Sequence, residues 1–352
     1  MSSSTNFWYK KRVLVTGHTG FKGGWLTFWL KKMGAEVTGI GLPPSTSPSL
    51  FELSNISTLC DSHFCDIREL EKLSAIIDQA DPEIVFHLAA QPLVRASYKE
   101  PLLTFSTNII GTANVLECLR GVKSTRVAVM ITTDKVYQNN EWVWPYKEDD
   151  SLGGHDPYSS SKAASEIVIN SYRQSYLSAQ RIAVATARAG NVIGGGDWSE
   201  DRLIPDAIRS WQSGTDLQVR RPEAKRPWQH VLEPLSGYLL LAEKLWGNAK
   251  LEGAYNFGPQ SHEAATVRQV IDSALKIHET GNVLYSETNE GPHEAGWLAL
   301  EISKSRELLG FNPQLSLNEA IEKTMIWYKQ LSEGASALEL CERDIVNYES
   351  KK

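Results

Sequence analysis

Residues 12–23 read RVLVTGHTGFKG, and this run restricts the fold more than any other part of the chain. RVLVTG has the character of a short, fully buried strand. Glycines follow at 17, 20 and 23, and helical periodicity runs from 24 to 33. Gly17, Gly20 and Gly23 let a buried strand turn at once into a helix, and they let backbone N–H groups close on a pyrophosphate at the helix N-terminus. A bare GxxGxxG is weak evidence. Placed between the first strand and the first helix of a chain, it points to a bound dinucleotide.

The same alternation continues. AEVTGIGL, EIVFHLAA, RVAVMITT and IAVATARAGNVIG read as further strands, with helical patterns over 67–80, 104–120 and 159–178 between them. Strands alternating with helices at this spacing build βαβ units, so the expected class is α/β: a Rossmann-type, doubly wound parallel sheet. After Gly194 the pattern loosens into Gly-, Pro-, Trp- and Arg-rich stretches with intermittent helices. This part is expected to form a smaller C-terminal lobe over the carboxyl edge of the sheet, where ligands of such sheets bind. The expected division is a dinucleotide-binding domain over 10–190, with 228–260 returning to it, and a substrate lobe from 191–227 and 261–345.

Composition removes several classes of function. With 36 Lys and Arg against 42 Asp and Glu, the net charge of −6 gives no pull towards nucleic acid or an anionic membrane. The four cysteines have no metal-ligand spacing, so no metal is expected. No apolar stretch precedes the first strand and no run of 18 apolar residues occurs, which makes the cytoplasm the default location.

Two short segments carry acid–base chemistry. RVAVMI runs straight into TTDKVY, which sets Asp134 beside Lys135 at the carboxyl end of a strand. In YSSSK, Pro157 marks a helix start, and Tyr158 and Lys162, four apart, share a helix face. A nearby ammonium favours phenolate, which would make Tyr158 a base for a sugar or alcohol hydroxyl. The second strand ends GIGLPPSTS, without the carboxylate that often holds an adenosine ribose and without an arginine for a 2′-phosphate. NAD is therefore the expected cofactor, loosely held. Asp66, after the third strand-like segment, suits either an adenine amino group or the N-cap of the helix over 67–80.

The segments VLVTGHTGFKGGWL, HLAAQPLVRASY, NIIGTANVLE, TTDKVY, YSSSKAASE, ARAGNVIGGGDW and DRLIPD run in the order of an extended short-chain dehydrogenase/reductase of the NAD-dependent epimerase/dehydratase type, acting on nucleotide sugars. The resemblance extends from residue 12 to about residue 320. Within that family, Asp-Lys after the threonine, together with GHTGFKG and GGGDW, looks most like the CDP-glucose 4,6-dehydratases. The dTDP-glucose dehydratases carry Asp-Glu there, and the UDP-galactose 4-epimerases have no such acid–base pair.

The resemblance implies a hydro-lyase that converts CDP-D-glucose to CDP-4-dehydro-6-deoxy-D-glucose, for deoxysugar and O-antigen lipopolysaccharide synthesis. The C5 proton of a hexose is not acidic until C4 is a ketone, so C4 is oxidised first, water leaves across C5 and C6, and hydrogen returns to C6. By match to the family, Tyr158 takes the C4 hydroxyl proton, Lys162 holds the nicotinamide ribose, Thr133 bonds the C4 oxygen and Asp134 protonates the leaving C6 hydroxyl. Lys135 stands where relatives have a glutamate base. It either accepts the C5 proton as a neutral amine or stabilises the enolate as a cation. Gly17, Thr19, Gly20, Phe21, Lys22, Gly23, Asp66, Ile67, Leu88, Ala89 and Ala90 would line the cofactor. Gln91, Arg95, Asn191, Arg202, Arg226, His230 and His293 would face the nucleotide sugar, although His230 also suits a core position. A homodimer through a four-helix bundle of 104–120 and 159–178 is implied, with a pair of dimers as the larger assembly and the aromatic residues 7–9 as its contact. Two other readings remain open: a dehydratase or epimerase of another nucleotide sugar, and a non-catalytic dinucleotide-binding regulator.

The missing ribose carboxylate has a measurable consequence. Losing hydrogen bonds of that kind lowers affinity roughly tenfold to a hundredfold. Dialysed protein is expected to lose NAD and to regain activity when NAD is added. Retention of stoichiometric NAD through dialysis would contradict this.

Overall fold

The structure, a computed structural model, describes residues 7–260, 263–286 and 297–351. Seven strands form one sheet: β1 (Arg12–Thr16), β2 (Glu36–Gly41), β3 (Asp61–Phe64), β4 (Ile84–His87), β5 (Val127–Ile131), β6 (Ala183–Ala189) and β7 (Gly253–Phe257). Their order is β7-β6-β5-β4-β1-β2-β3, and every adjacent pair is parallel. This is the Rossmann-type sheet expected from the sequence. Chain order reverses at β1, which lies between β2 and β4, and that switch point opens the crevice used by ligands in such sheets. The central strands are covered on both faces, so β4, β5 and β6 are buried at every residue.

Helix α1 (Phe21–Lys32) starts three residues before the apolar periodicity suggested. It is buried from Gly23 to Leu30, as a helix that is apolar on all sides must be. Its tryptophans still find acceptors. Trp25 Nε1 donates to Gly195 O at 2.9 Å and Trp29 Nε1 to Glu349 Oε1 at 2.8 Å, which ties the helix to the C-terminal lobe. Helix α2 (Leu70–Ala80) begins later than the pattern over 67–80 suggested, and its N-cap is Glu69 rather than Asp66.

On the face opposite α1, together with α2, lie α3 (Pro101–Leu119) and α4 (Pro157–Tyr172). Val115, Leu116, Leu119 and Ile169 from these helices pack against Val85, Ala128, Met130 and Val184 of the sheet. Within α3, Ser106–Ile110 forms a π turn that swings Asn108 inwards. The start of α4 is set by a capping box. Asp156 Oδ1 accepts from Ser159 N (3.0 Å), Ser159 Oγ accepts from Asp156 N (3.1 Å), and Pro157 occupies the first turn. Tyr158 is thereby fixed in that first turn.

The lobe after Gly194 is built from α5 (Leu203–Gln212), α7 (Val267–His278) and α8 (Leu317–Ser332), with short strand pairs such as Leu217–Val219 with Val283–Tyr285. Helix α6 (Leu232–Gly247) and β7 carry the chain back to the sheet, where β7 pairs with β6. The last helix, α9 (Ala337–Glu349), packs beneath α1 through Tyr348, whose ring lies 5.8 Å from that of Trp29.

Candidate active site

A cleft of about 780 Å³ opens along the carboxyl ends of β1, β4, β5 and β6, a size typical of small-molecule sites. Its floor is the glycine turn. Gly17 has φ +79°, and a Cβ there would lie 2.7 Å from Ala89 N; a Cβ on Gly23 would lie 2.0 Å from Gly17 O. Thr19, Gly20, Phe21 and Lys22 continue that wall, and Ile67, Leu88, Ala89 and Ala90 stand along the same cleft. A backbone stripped of side chains at a helix N-terminus fits a dinucleotide pyrophosphate. The adjoining wall, Gly41 to Thr46, has no carboxylate. Asp66 also lines the cleft, but its carboxylate is engaged by Arg68 (Nη2 at 2.6 Å, Nε and N at 3.0 and 2.9 Å), and this guanidinium holds it below the usual carboxylate range.

At the end of β5 the chain enters a single tight turn, Asp134–Val136, capped by Thr133. Thr133 Oγ1 donates to Asp134 Oδ1 (3.0 Å) and accepts from Lys135 N (3.4 Å). Asp134 is buried and its Oδ2 has no hydrogen-bond partner. That atom faces Gly190, whose absent Cβ would sit 2.8 Å away. Burial raises the Asp134 pKa, although Lys135, Thr133, Arg226 and Lys22 oppose it, so this carboxyl keeps its proton to higher pH than an ordinary aspartate does.

Tyr158 and Lys162 stand across from this turn on α4. Burial pushes Tyr158 up to about 12, against a hydrogen bond with the Thr133 side chain and the charge of Arg202. The simple expectation that Lys162 draws Tyr158 towards neutrality is not met in the chain alone. Desolvation wins, and Lys162 Nζ donates instead to Ile131 O at 3.0 Å. Burial also lowers Lys162 to about 8, with Glu166 opposing.

The substrate candidates divide. Arg95, Asn191, Arg202 and Arg226 line the cleft. Arg95 Nη1 lies 3.2 Å from Asp201 Oδ1, and Arg202 Nη1 3.5 Å from Asp197 Oδ2. Gln91 lines it too, but its amide is spent on its own loop and on α3: Nε2 donates to Leu93 O and Thr104 Oγ1, and Oε1 accepts from Leu93 N. His230 does not reach the cleft. It is fully buried, edge-on to Trp25, and burial lowers its pKa to about 3, so it occupies the core position that a histidine in an apolar run also suits. His293 lies outside the described residues.

Comparison with known proteins identifies the family. The family model for GDP-mannose 4,6 dehydratase matches residues 14–324. The chain belongs to this family. It is 45% identical over 98% of its length to the CDP-glucose 4,6-dehydratase of Salmonella typhimurium, 98% of which is covered. It is 26% identical over 90% of its length to a dTDP-glucose 4,6-dehydratase of Xanthomonas campestris, covering 92% of that protein. Among solved structures, the UDP-glucose 4-epimerase of Thermotoga maritima superposes with a TM-score of 0.79 at 23% identity, over 91% of this chain and 99% of that one. The UDP-glucuronic acid 4-epimerase of Bacillus cereus, in complex with UDP-glucuronic acid and NAD, gives 0.78 at 25%, over 91% and 99%. These likenesses place the fold among the extended short-chain dehydrogenases/reductases.

Members of such a family need more than the residues that touch ligands, and the motif reading passed over several. Asn108, brought inward by the π turn, donates to Gln91 O (3.1 Å) and Ser161 Oγ (2.8 Å) and accepts from Gln91 N (2.8 Å), joining the loop after β4 to α4. Glu166 and Arg188 form a buried ion pair behind the acid–base turn. The signal for Glu166 was present: Tyr158, Lys162 and Glu166 are spaced four apart on one helical face. Asn108 opens the segment NIIGTANVLE, which carried the family resemblance, but the motif reading gave it no role.

Lys22, at the head of α1, lines the cleft among the residues expected there. Its Nζ lies 5.9 Å from the Tyr238 ring centroid. Burial pulls its ammonium down to about 7; Arg202 and Lys162 lower it further, while Asp134 and Asp197 oppose. A lysine whose pKa is lower folded than unfolded penalises folding below its folded pKa, and the penalty lifts as pH rises towards the unfolded value. The ligand-free protein should therefore gain thermal stability from about pH 6 to pH 9. Lys22→Met should raise the melting temperature at the acid end and reduce that rise, leaving the part due to Lys162. Thermal melts across this range check it, and an unchanged slope in the variant would contradict it.

Proposed function

We propose that this chain is a CDP-glucose 4,6-dehydratase that uses NAD and releases CDP-4-dehydro-6-deoxy-D-glucose for deoxysugar synthesis in the cytoplasm. The observation that carries the reading is the placement of Asp134. It is buried, biased towards its protonated form, and joined through Thr133 to the tyrosine that faces it. An alcohol dehydrogenation alone has no use for such an acid. The 45% identity across both chains supports CDP as the nucleotide carrier.

The glycine turn, Ile67 and residues 88–90 would hold NAD, which when bound would supply reversible oxidation at C4 and whose cationic ring would add to the charges that favour a Tyr158 phenolate. Tyr158 removes the proton of the C4 hydroxyl. Thr133 hydrogen-bonds the C4 oxygen. Once C4 is a carbonyl, the C5 proton is acidic, and Lys135, on the cleft wall beside Asp134, either accepts it as the neutral amine or stabilises the enolate as a cation. Asp134 gives its proton to the C6 hydroxyl, which leaves as water, and the hydrogen removed from C4 is restored at C6. Arg95, Arg202 and Arg226 offer planar guanidinium donors to the diphosphate. Residues 10–190 with 228–260 carry the cofactor, and 191–227 with 261–345 carry the nucleotide sugar.

The assembly proposed is a homodimer through α3 and α4. Both helices bury one face on the sheet and still leave Leu102, Ile110 and Ile167 exposed at 82, 54 and 62%. A second copy of the pair would cover them as a four-helix bundle. A pair of dimers is supported less by residues 7–9 than the sequence suggested, because Trp8 is fully buried and only Tyr9 is strongly exposed.

Purified protein incubated with NAD and each NDP-glucose should form the alkali-absorbing 4-keto product from CDP-glucose, and deuterium placed at C4 should be recovered at C6. Tyr158→Phe should lose on the order of 10²–10⁴ in rate. Asp134→Asn should stall after C4 oxidation. Turnover of dTDP- or UDP-glucose alone would overturn the nucleotide assignment, and loss of the label to solvent would overturn the dehydratase reading.

Light scattering at micromolar concentration should report a dimer or a multiple of it, and Ile110→Asp with Ile167→Asp should shift it to monomer. A monomeric wild type would refute the bundle.

A further inference from the structure

The acid–base turn is poorly held by its own hydrogen bonds. Lys135 N to Thr133 Oγ1 and Val136 N to Thr133 O are both 3.4 Å, long for hydrogen bonds of this kind. Its two flanks are held well, and by one buried pair. Before the turn, Thr132 Oγ1 donates to Glu166 Oε1 at 2.6 Å. After it, Tyr137 OH accepts from Arg188 Nη1 at 2.9 Å and donates to Asn256 Oδ1 at 2.7 Å. Glu166 and Arg188 are themselves joined by two bonds of 2.9 Å, Nε to Oε1 and Nη2 to Oε2.

Glu166 shares a helical face with Tyr158 and Lys162, so α4 works as a rigid ruler. At one end it carries the oxidation pair. At the other it carries the anchor of the segment that holds Asp134 and Lys135. Lys162 Nζ also grips Ile131 O, so the strand end is stitched to α4 at two consecutive residues, Ile131 and Thr132.

We propose that Tyr137 is a positioning residue for the elimination half of the reaction: with Thr132 it clamps the Asp134–Lys135 turn to the Glu166–Arg188 pair and so sets that turn against Tyr158 and Lys162. The inference rests on the dehydratase reading above. Tyr137 suits the task because its ring is fixed independently of its hydroxyl. The ring stacks on Tyr146 at 5.2 Å and 17°, so the phenol oxygen reports the position of the turn without creating the packing around it. Neither Tyr137 nor Arg188 lines the cleft, so both act through the turn.

Tyr137→Phe keeps the stack and removes the clamp. Substrate KM should stay within about twofold and C4 oxidation should run near the wild-type rate. Elimination should slow on the order of tenfold, as expected when reacting groups are slightly misplaced. The readout is the ratio of stalled 4-keto-glucose to 4-keto-6-deoxyglucose, which should rise about tenfold if only the second step slows. Thr132→Val should raise the same ratio, and Thr132→Ser, which keeps the hydroxyl, should restore it. This pair decides the question if Tyr137→Phe fails to fold. Tyr348→Phe is the comparator. It removes another buried tyrosine hydroxyl, bonded to Glu233 Oε2 at 2.8 Å, and should cost stability while leaving the ratio alone. A wild-type ratio in both Tyr137→Phe and Thr132→Val, or equal slowing of both steps, overturns the proposal. Absence of any keto sugar from the wild type would instead sink the dehydratase reading.

Discussion

A carboxylate and a guanidinium sealed from water hold the catalytic edge of the sheet. Glu166 and Arg188 each have side chains 4% exposed. Burial alone would drive the Glu166 proton on. The hydrogen bonds and charge of Arg188, with hydroxyl donors from Thr132 and Thr186, reverse that, and its pKa ends below the ordinary glutamate value. A buried pair of this kind adds little stability over a well-packed apolar pair, whereas removing one partner costs about 3–5 kcal/mol by stranding the other. What it adds is uniqueness of arrangement. Four bonds to two oxygens from a strand end (Thr132), a neighbouring strand (Thr186, Arg188) and a helix can be satisfied in one geometry only. Arg188 extends the constraint to Tyr137 and to Glu148 O, and Asn256 extends it to the backbone at Tyr146 and Glu301.

Chemistry follows from the same withdrawal from water. One short stretch of cleft wall holds Lys22, Asp134, Tyr158 and Lys162, and burial shifts each towards its neutral form. A neutral carboxylic acid can give a proton, and an amine near neutrality can take one. For Lys22, Asp134 and Lys162 the shifts run towards general acid–base work at ordinary pH, whereas Tyr158 is carried away from it, and in all four burial outweighs any single neighbour. Arg202 and Arg226 enter this balance from the lobe, so the lobe both encloses the site and adjusts it.

Glycine fixes how closely the parts approach. Gly17 and Gly23 bring strand, turn and helix within distances that no Cβ allows, and Gly190 leaves room for the unpartnered oxygen of Asp134. The first two serve the dinucleotide cradle. Gly190 serves the acid, and its importance is invisible without the residue opposite.

The sequence by itself determined what depends on near neighbours. Buried strands showed as apolar runs, the cradle as glycines between a strand and a helix, Tyr158 and Lys162 as a four-residue spacing, and the start of α4 as a proline. Each is a local pattern whose energy is decided within one or two turns of chain. Its ends were read less well: α1 began earlier and α2 later, because caps and tertiary contacts set termini. Only the tertiary structure decided the rest. It seated His230 against Trp25, turned the Gln91 amide onto its own loop and α3, and swung Asn108 inward through a π turn. It also joined Glu166 to Arg188 and both to Tyr137. These outcomes depend on which side chains lie opposite one another across separate elements, and on how far the assembled molecule removes them from water. Neither quantity exists until strands and helices have packed, so a one-dimensional pattern could name the acid and the base but not what holds them in place.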